Sequence, residues 1–126
     1  IFSYTSPEQD KSFLTPGLFY KIKKSKQKTI TFEELKHFRD FLSINDIINA
    51  IRILCIKNGT GIYNIGSSKK FYLETIAKIF CKKFNKKASF INSSRSFTYL
   101  ISDNKKLIKL GWKPKNSFIN ELNKFK

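Results

Sequence analysis

With 126 residues, 40% hydrophobic and 15% aromatic, the chain suffices for one domain with a real core and is too apolar for a disordered tail. No run approaches the roughly 18 consecutive apolar residues of a membrane span, and no charged-then-apolar leader opens it, so a cytoplasmic protein is expected. The formal charge of +16 admits a nucleic-acid partner on electrostatic grounds alone, so the kind of positive charge has to be weighed.

Ile1 to Thr5 reads as a short strand, closed by the polar turn Ser6 to Asp10. A domain seldom starts inside a strand, and residue 1 is Ile, so a fragment is expected. Thr15-Pro16 marks a helix start, with Thr15 as cap and Pro16 in the first turn, and the helix is placed near residues 16–24. Thr29 to Phe32 alternates at period two and predicts a strand, and Phe38 to Leu42 a second one with the charged pair Arg39-Asp40 inside it.

The clearest helix, near 44–57, opens on Ser43 and Asp46 as a capping-box-like pair. It carries Ile44, Ile47, Ile48, Ile51, Leu54 and Cys55 at helical spacing. Gly61 to Gly66 reads as a buried strand between glycines. Leu73, Ile76, Ala77, Phe80 and Phe84 place a helix near 73–85, and Ala88 to Ile91 a strand. Asp103 is read as the cap of a helix over 104–110, with Gly111 at its end. Ser117 is read as the cap of a last helix over 117–125. Mixed strands and helices without internal repeat give the α/β class, and residues 1–126 are taken as one domain.

Of the 25 basic residues only Arg39, Arg52 and Arg95 are Arg, and the 22 Lys are scattered along the chain. Nucleic-acid readers favour the bidentate Arg fork, so the charge is read first as a solvated Lys-rich surface. It should give only weak, salt-dependent and sequence-blind nucleic-acid binding. A small basic nucleic-acid-binding module stays as the alternative. Cys55 and Cys81 lie in apolar helical patterns and are expected as reduced, buried thiols, and no spacing supports a metal site.

Three separated segments carry a resemblance. Arg39-Asp40-Phe41-Leu42-Ser43-Ile44-Asn45-Asp46 is similar to an R-D-F-x-x-V-x-D segment leading into a helix. Gly61-Ile62-Tyr63-Asn64-Ile65-Gly66-Ser67 is similar to G-x-Y-N-x-G-S. Asp103-Asn104-Lys105-Lys106-Leu107 with Leu110-Gly111-Trp112-Lys113-Pro114 is similar to D-x-S-K-x and L-G-W-x-P. In this order they resemble the NAD-dependent epimerases and dehydratases, the extended short-chain dehydrogenase/reductase family. Ile1 to Gln9 looks like that family's strand ending in N-x-Y-G-P, with Ser3, Thr5 and Ser6 in place of Asn, Tyr and Gly.

The resemblance implies an α/β, carboxy-terminal substrate-binding portion without its Rossmann core. The expected ligand is a nucleotide-diphosphate sugar, and the expected partner is the missing amino-terminal half. NAD or NADP would serve the intact enzyme, and none would be bound by this chain alone. The glycine fingerprint G-x-x-G-x-x-G and the catalytic Tyr-x-x-x-Lys pair are absent; Tyr20 and Lys24 have that spacing but fall downstream of the N-x-Y-G-P-like strand. No catalytic residue is therefore assigned, and the chain as given is expected to be inert. Specific nucleic-acid and membrane partners are not expected, and an oligomer is left open.

The resemblance implies a diphosphate contact for Arg39, with an ion pair to Asp40 or Asp46 as its alternative use. It implies a second phosphate contact for Arg95 in the same groove, the alternative being a solvated loop charge. Ser3 offers a hydroxyl where the family contacts substrate with an amide. His37 and Asn64 are read as structural, Trp112 as core, and Arg52 as a surface residue. Without an amino-terminal half, the apolar residues around Ile1-Phe2 and Ile62 to Ile65 should be exposed.

Overall fold

In the computed structural model, which describes residues 1–93 and 97–126, the chain folds as a mixed α/β unit. Its elements are β1 (Ser3–Thr5), α1 (Leu14–Lys24), β2 (Thr29–Glu33), β3 (Phe38–Arg39), β4 (Phe41–Ser43) and α2 (Ile44–Ile56), followed by β5 (Phe71–Tyr72), α3 (Leu73–Lys83), β6 (Lys87–Ile91), β7 (Tyr99–Leu100), α4 (Lys105–Lys109) and α5 (Phe118–Asn123). The strands form three small sheets: β1 parallel to β4, β2 parallel to β6, and the three-stranded β5-β3-β7.

The period-two segment behaves as its pattern requires, with Ile30 and Phe32 turned inward and Thr29, Thr31 and Glu33 outward. The segment 38–42 is two strands rather than one, because Asp40 breaks the ladder between β3 and β4. α1 starts at Leu14, and Phe13 occupies the cap position with no side-chain cap bond. Thr15 is therefore inside the first turn and is not the cap. Pro16 could not discriminate, since the first turn has no intrahelical use for its N–H groups and accepts Pro at more than one position.

α2 does begin at Ser43, whose Oγ accepts from Asn45 N at 3.2 Å. The second half of the expected capping box is not formed, because the Asp46 carboxylate points to Lys115 N, Asn116 N and Asn116 Nδ2. The apolar stripe of α2 is also narrower than its spacing suggests: Ile47 and Ala50 are buried, while Ile48, Ile51, Cys55 and Ile56 are exposed. The six apolar positions span more of the helix surface than its neighbours cover.

The stretch 61–66 is not a strand. Its one backbone bond to β1's segment runs from Phe2 N to Ile65 O at 2.9 Å, and a single bond builds no ladder. Ile65 is buried and Ile62 is 87% exposed. Exposure of the apolar edge holds for Ile1 and Ile62, whereas Phe2 is half-buried. α3 buries Leu73, Ile76, Ala77 and Phe80 as expected and stops at Lys83. There Asn85 takes a φ of 53° and Lys86 N bonds back to Cys81 O, a left-handed C-terminal stop. Cys81 is buried, and burial raises its thiol pKa, with a smaller opposing pull from Lys86.

α4 is short, with Asn104 rather than Asp103 at its cap position. Asp103 Oδ1 still accepts from Lys105 N, and Gly111 follows the helix with a φ of 101°. Ser117 precedes α5 without a side-chain cap bond, and Phe125 packs inward beyond the helix end.

Two apolar cores result. The larger is aromatic, with Phe19 contacting Phe80 edge-on and Phe125 at a tilt, and it joins α1, α3, α5 and the β2–β6 pair. The smaller gathers Leu42, Ile47, Ala50, Ile65, Leu107 and Trp112 between α2 and α4. Among the described residues no helix is long and apolar enough to cross a membrane.

Candidate functional site

The first two sequence motifs, and Ser102 just ahead of the third, meet at one carboxylate. Asp40 is completely buried. Its Oδ1 accepts from Ser67 N at 2.7 Å and Ser67 Oγ at 2.5 Å, and its Oδ2 from Ser68 N at 2.9 Å, Ser102 N at 3.1 Å and Ser102 Oγ at 2.6 Å. A carboxylate can be buried at tolerable cost only when its lone pairs are filled in this way. Gly66 makes the arrangement possible, because a Cβ there would lie 2.8 Å from Asp40 Oδ2 and 2.6 Å from Ser102 Cβ. Asn104 adds a bond from Nδ2 to Gly66 O at 2.8 Å. The segments around Asp40, Gly66 and Ser102 are thereby fixed to one another.

This clamp sets Arg39, the preceding residue, at the edge of a hollow of about 400 Å³ whose lining also includes Ser3. The parallel β1–β4 pairing places Ser3 beside Phe41, two residues after Arg39. In the three-stranded sheet, Arg39 sits between Phe71 of β5 and Leu100 of β7, and Leu100 borders the hollow. The neighbouring register row stacks Phe38 on Tyr99, with centroids 5.0 Å apart.

Arg39 Nη1 donates to Phe38 O and to Thr98 Oγ1, each at 2.8 Å. Thr98 N in turn donates to His37 Nδ1 at 3.2 Å, so His37 props the strand edge. Asp40 and Asp46 direct their carboxylates to the serine and Asn116 donors instead, and the ion pair weighed for Arg39 is not formed among the described residues. A guanidinium anchored through one nitrogen keeps a fork suited to a phosphate or carboxylate.

The structure thus brings together Arg39 and Ser3, both picked from the sequence. Arg95 lies outside the described residues, and so does its expected share in the groove. Sequence reasoning missed two lining residues, Gln9 and Thr15; Gln9 looked like part of a turn and Thr15 like a cap. It also read Asp40 as a possible ion-pair partner, although Gly66-Ser67-Ser68 and Ser102 offered a cluster of small donors. Asn64 orders its turn, donating from Nδ2 to Asp103 O at 3.1 Å.

The fit of a dinucleotide can be tested on the glycines. Gly17 is inside α1 facing Lys11 O, Gly59 packs on Leu54, and Gly66 packs on Ser102 and Asp40. None of these three opens a strand–turn–helix cradle for a pyrophosphate.

No family model matches the sequence, and no curated protein matches it significantly. Solved structures do match in fold. RMD from Pseudomonas aeruginosa, complexed with NADPH, superposes with a TM-score of 0.84 at 17% identity, over 98% of this chain and 44% of that one. A GDP-mannoheptose C4 reductase from Campylobacter jejuni with NADP bound gives 0.83 at 16% identity, over 98% and 46%. A dTDP-glucose 4,6-dehydratase from Bacillus anthracis in complex with NAD gives 0.76 at 21% identity, over 98% and 41%. The chain spans less than half the length of each of these structures. It has the α/β fold of the matched part of each of these three structures.

Proposed function

We propose that this chain is the nucleotide-sugar-binding wall of an NAD(P)-dependent sugar epimerase, dehydratase or reductase. The single observation that carries the reading is the convergence of Arg39 and Ser3 on one hollow, in a fold shared with a dTDP-glucose 4,6-dehydratase in complex with NAD and a GDP-mannoheptose C4 reductase with NADP bound. About 400 Å³ lies within the usual size of small-molecule sites, and a mostly apolar lining with a few polar groups is their usual composition. In this reading Arg39 holds the diphosphate and Ser3 Oγ meets a ligand hydroxyl. The cofactor and the proton-transferring residues belong to a separate dinucleotide-binding half.

The work of this wall is positioning. The Asp40 clamp keeps Arg39 from shifting along the sheet, and a guanidinium held at a fixed point sets where the diphosphate lies and hence where the sugar projects. Arg95 is assigned to the same anion on the strength of its sequence position alone.

Arg39→Lys tests the reading. Lys keeps the charge but loses the planar fork, so affinity for a nucleotide-sugar should fall by about 1–3 kcal/mol, the usual worth of a charged hydrogen bond. Calorimetric titration of both proteins measures it. Equal affinities would remove Arg39 from the site.

A further inference from the structure

Four exposed apolar side chains line the hollow that holds Arg39 and Ser3: Ile1, Phe13, Leu14 and Leu100. Phe13 is 50% exposed and belongs to neither apolar core. Among the described residues its ring pairs with no other ring and with no cation, whereas the comparably exposed Phe97 has Lys36 Nζ 4.4 Å from its ring centroid.

The local backbone gives this phenylalanine no structural task that its side chain performs. Phe13 O accepts from Gly17 N at 2.8 Å and so opens α1, but the side chain makes no cap bond. Ser, Thr, Asp and Asn are favoured at that position because their oxygens satisfy a free N–H of the first turn. A ring that is unpaired, half open to solvent and set where helix chemistry prefers another residue breaks a local rule, and such breaks concentrate at functional sites.

The composition of the hollow selects what the ring meets. Arg39 is the only charged side chain among its lining residues and takes the anion. Ser3 lies on the β1–β4 pair, beside Phe41 and close to Arg39 in the chain. The residue next to Phe13 is Leu14, which lines the same hollow and is 36% exposed. A hexose carries hydroxyls around its ring, and each one that loses water needs a partner. A nucleobase offers a flat π-face that needs none and stacks on an aromatic ring.

We infer that Phe13 stacks on the base of the bound nucleotide while Arg39 holds its diphosphate, which makes the hollow selective for nucleotides over bare phosphates. This rests on the nucleotide-sugar reading of the same hollow. The base lies toward the start of α1 and the sugar toward Ser3. Stacking is tolerant of base identity because every base has a π-face, so Phe13 supplies affinity for a base without choosing among them by hydrogen-bond pattern.

The test titrates the 126-residue chain and its Phe13→Ala, Phe13→Leu and Phe13→Tyr variants with UDP, GDP, UDP-glucose and inorganic pyrophosphate. Phe13→Ala should bind UDP and GDP roughly 10-fold more weakly, the usual effect of losing one base–aromatic stack, and pyrophosphate with unchanged affinity. Phe13→Leu keeps apolar bulk without the π-face and should resemble Phe13→Ala, while Phe13→Tyr keeps the ring and should bind like wild type. In the wild-type complex the base protons should move upfield and show nuclear Overhauser contacts to the Phe13 ring. All three variants should unfold close to the wild-type temperature, because Phe13 is outside both cores. A marked drop for Phe13→Leu, or a loss of affinity shared by pyrophosphate, would give Phe13 a structural role and overturn the inference. A loss confined to UDP-glucose would move the contact to the hexose and overturn the base assignment. Wild-type binding with unchanged variants overturns the inference, gives the apolar rim to the separate half and leaves the nucleotide-sugar reading standing. Absence of wild-type binding to every nucleotide overturns both.

Discussion

Replacing Asp40 with Ala is expected to destabilise the chain by about 3–5 kcal/mol, measured as a shift in urea midpoint at unchanged slope. The carboxylate accepts five hydrogen bonds from two separated segments, Ser67-Ser68 and Ser102, and so ties three segments together with its own. The serine hydroxyls can rotate to other partners, but the backbone N–H of Ser102 is in a buried bond and cannot. Hydrogen bonds to a charged group are worth more than neutral ones, and orphaned buried donors add their desolvation cost. Asp40→Asn should lose less, because it retains one acceptor oxygen. A loss below about 1 kcal/mol for Asp40→Ala would mean that the three segments are held together by packing alone. The same variant should weaken any ligand held by Arg39, since that residue is positioned through its neighbour.

Trp112→Ala should cost about 3–5 kcal/mol, the usual range for truncating a buried aromatic. Trp112 is fully buried and is the largest member of the smaller core, where it meets Leu107, Ile47 and Ala50. Its Nε1 also donates to Asp46 O at 3.2 Å, tying the segment after α4 to the first turn of α2. Trp112→Phe keeps most of the apolar contact and loses that bond, so about 1–2 kcal/mol is expected. Thermal unfolding of the pair measures the difference. Near-equal midpoints for Ala and wild type would show that the smaller core contributes little to global stability.

The sequence showed where most elements lie because periodicity reports burial on one face. The alternation of Thr29 to Phe32 and the stripe Leu73-Ile76-Ala77-Phe80 both point at the larger core, which buries Ile30, Phe32 and the whole stripe. Prediction failed where a pattern outran its surroundings. α2 has more isoleucines than its neighbours can cover, and the Gly61 to Gly66 run had strand composition without a strand beside it. Capping residues misled for a related reason. Asp46 and Thr15 have cap chemistry, but Asp46 reaches across the fold to Asn116, a contact that no local window contains.

The candidate site was legible in part. Arg39 stood out because a chain this rich in Lys writes Arg at few positions, and Ser3 because of its place in a familiar strand. The Asp40 clamp joins residues 40, 67–68 and 102, and Gln9 and Thr15 reach the hollow through a turn and a helix start. Long-range convergence of that kind leaves no spacing to read. The cysteines split likewise, Cys81 buried and Cys55 exposed, because the same apolar pattern met a neighbour in one helix and solvent in the other.

The most direct test of the central claim is an amide chemical-shift map of the 126-residue chain on titration with UDP-glucose, GDP-mannose and dTDP-glucose. The account predicts saturable shifts from at least one of them, clustered at Ser3, Gln9, Thr15, Arg39 and Leu100, and persisting when salt is added. Shifts spread over the lysine-bearing surface, equal for all three ligands and lost on adding salt, would contradict it. They would assign the binding to the net charge of +16 rather than to the hollow beside Arg39.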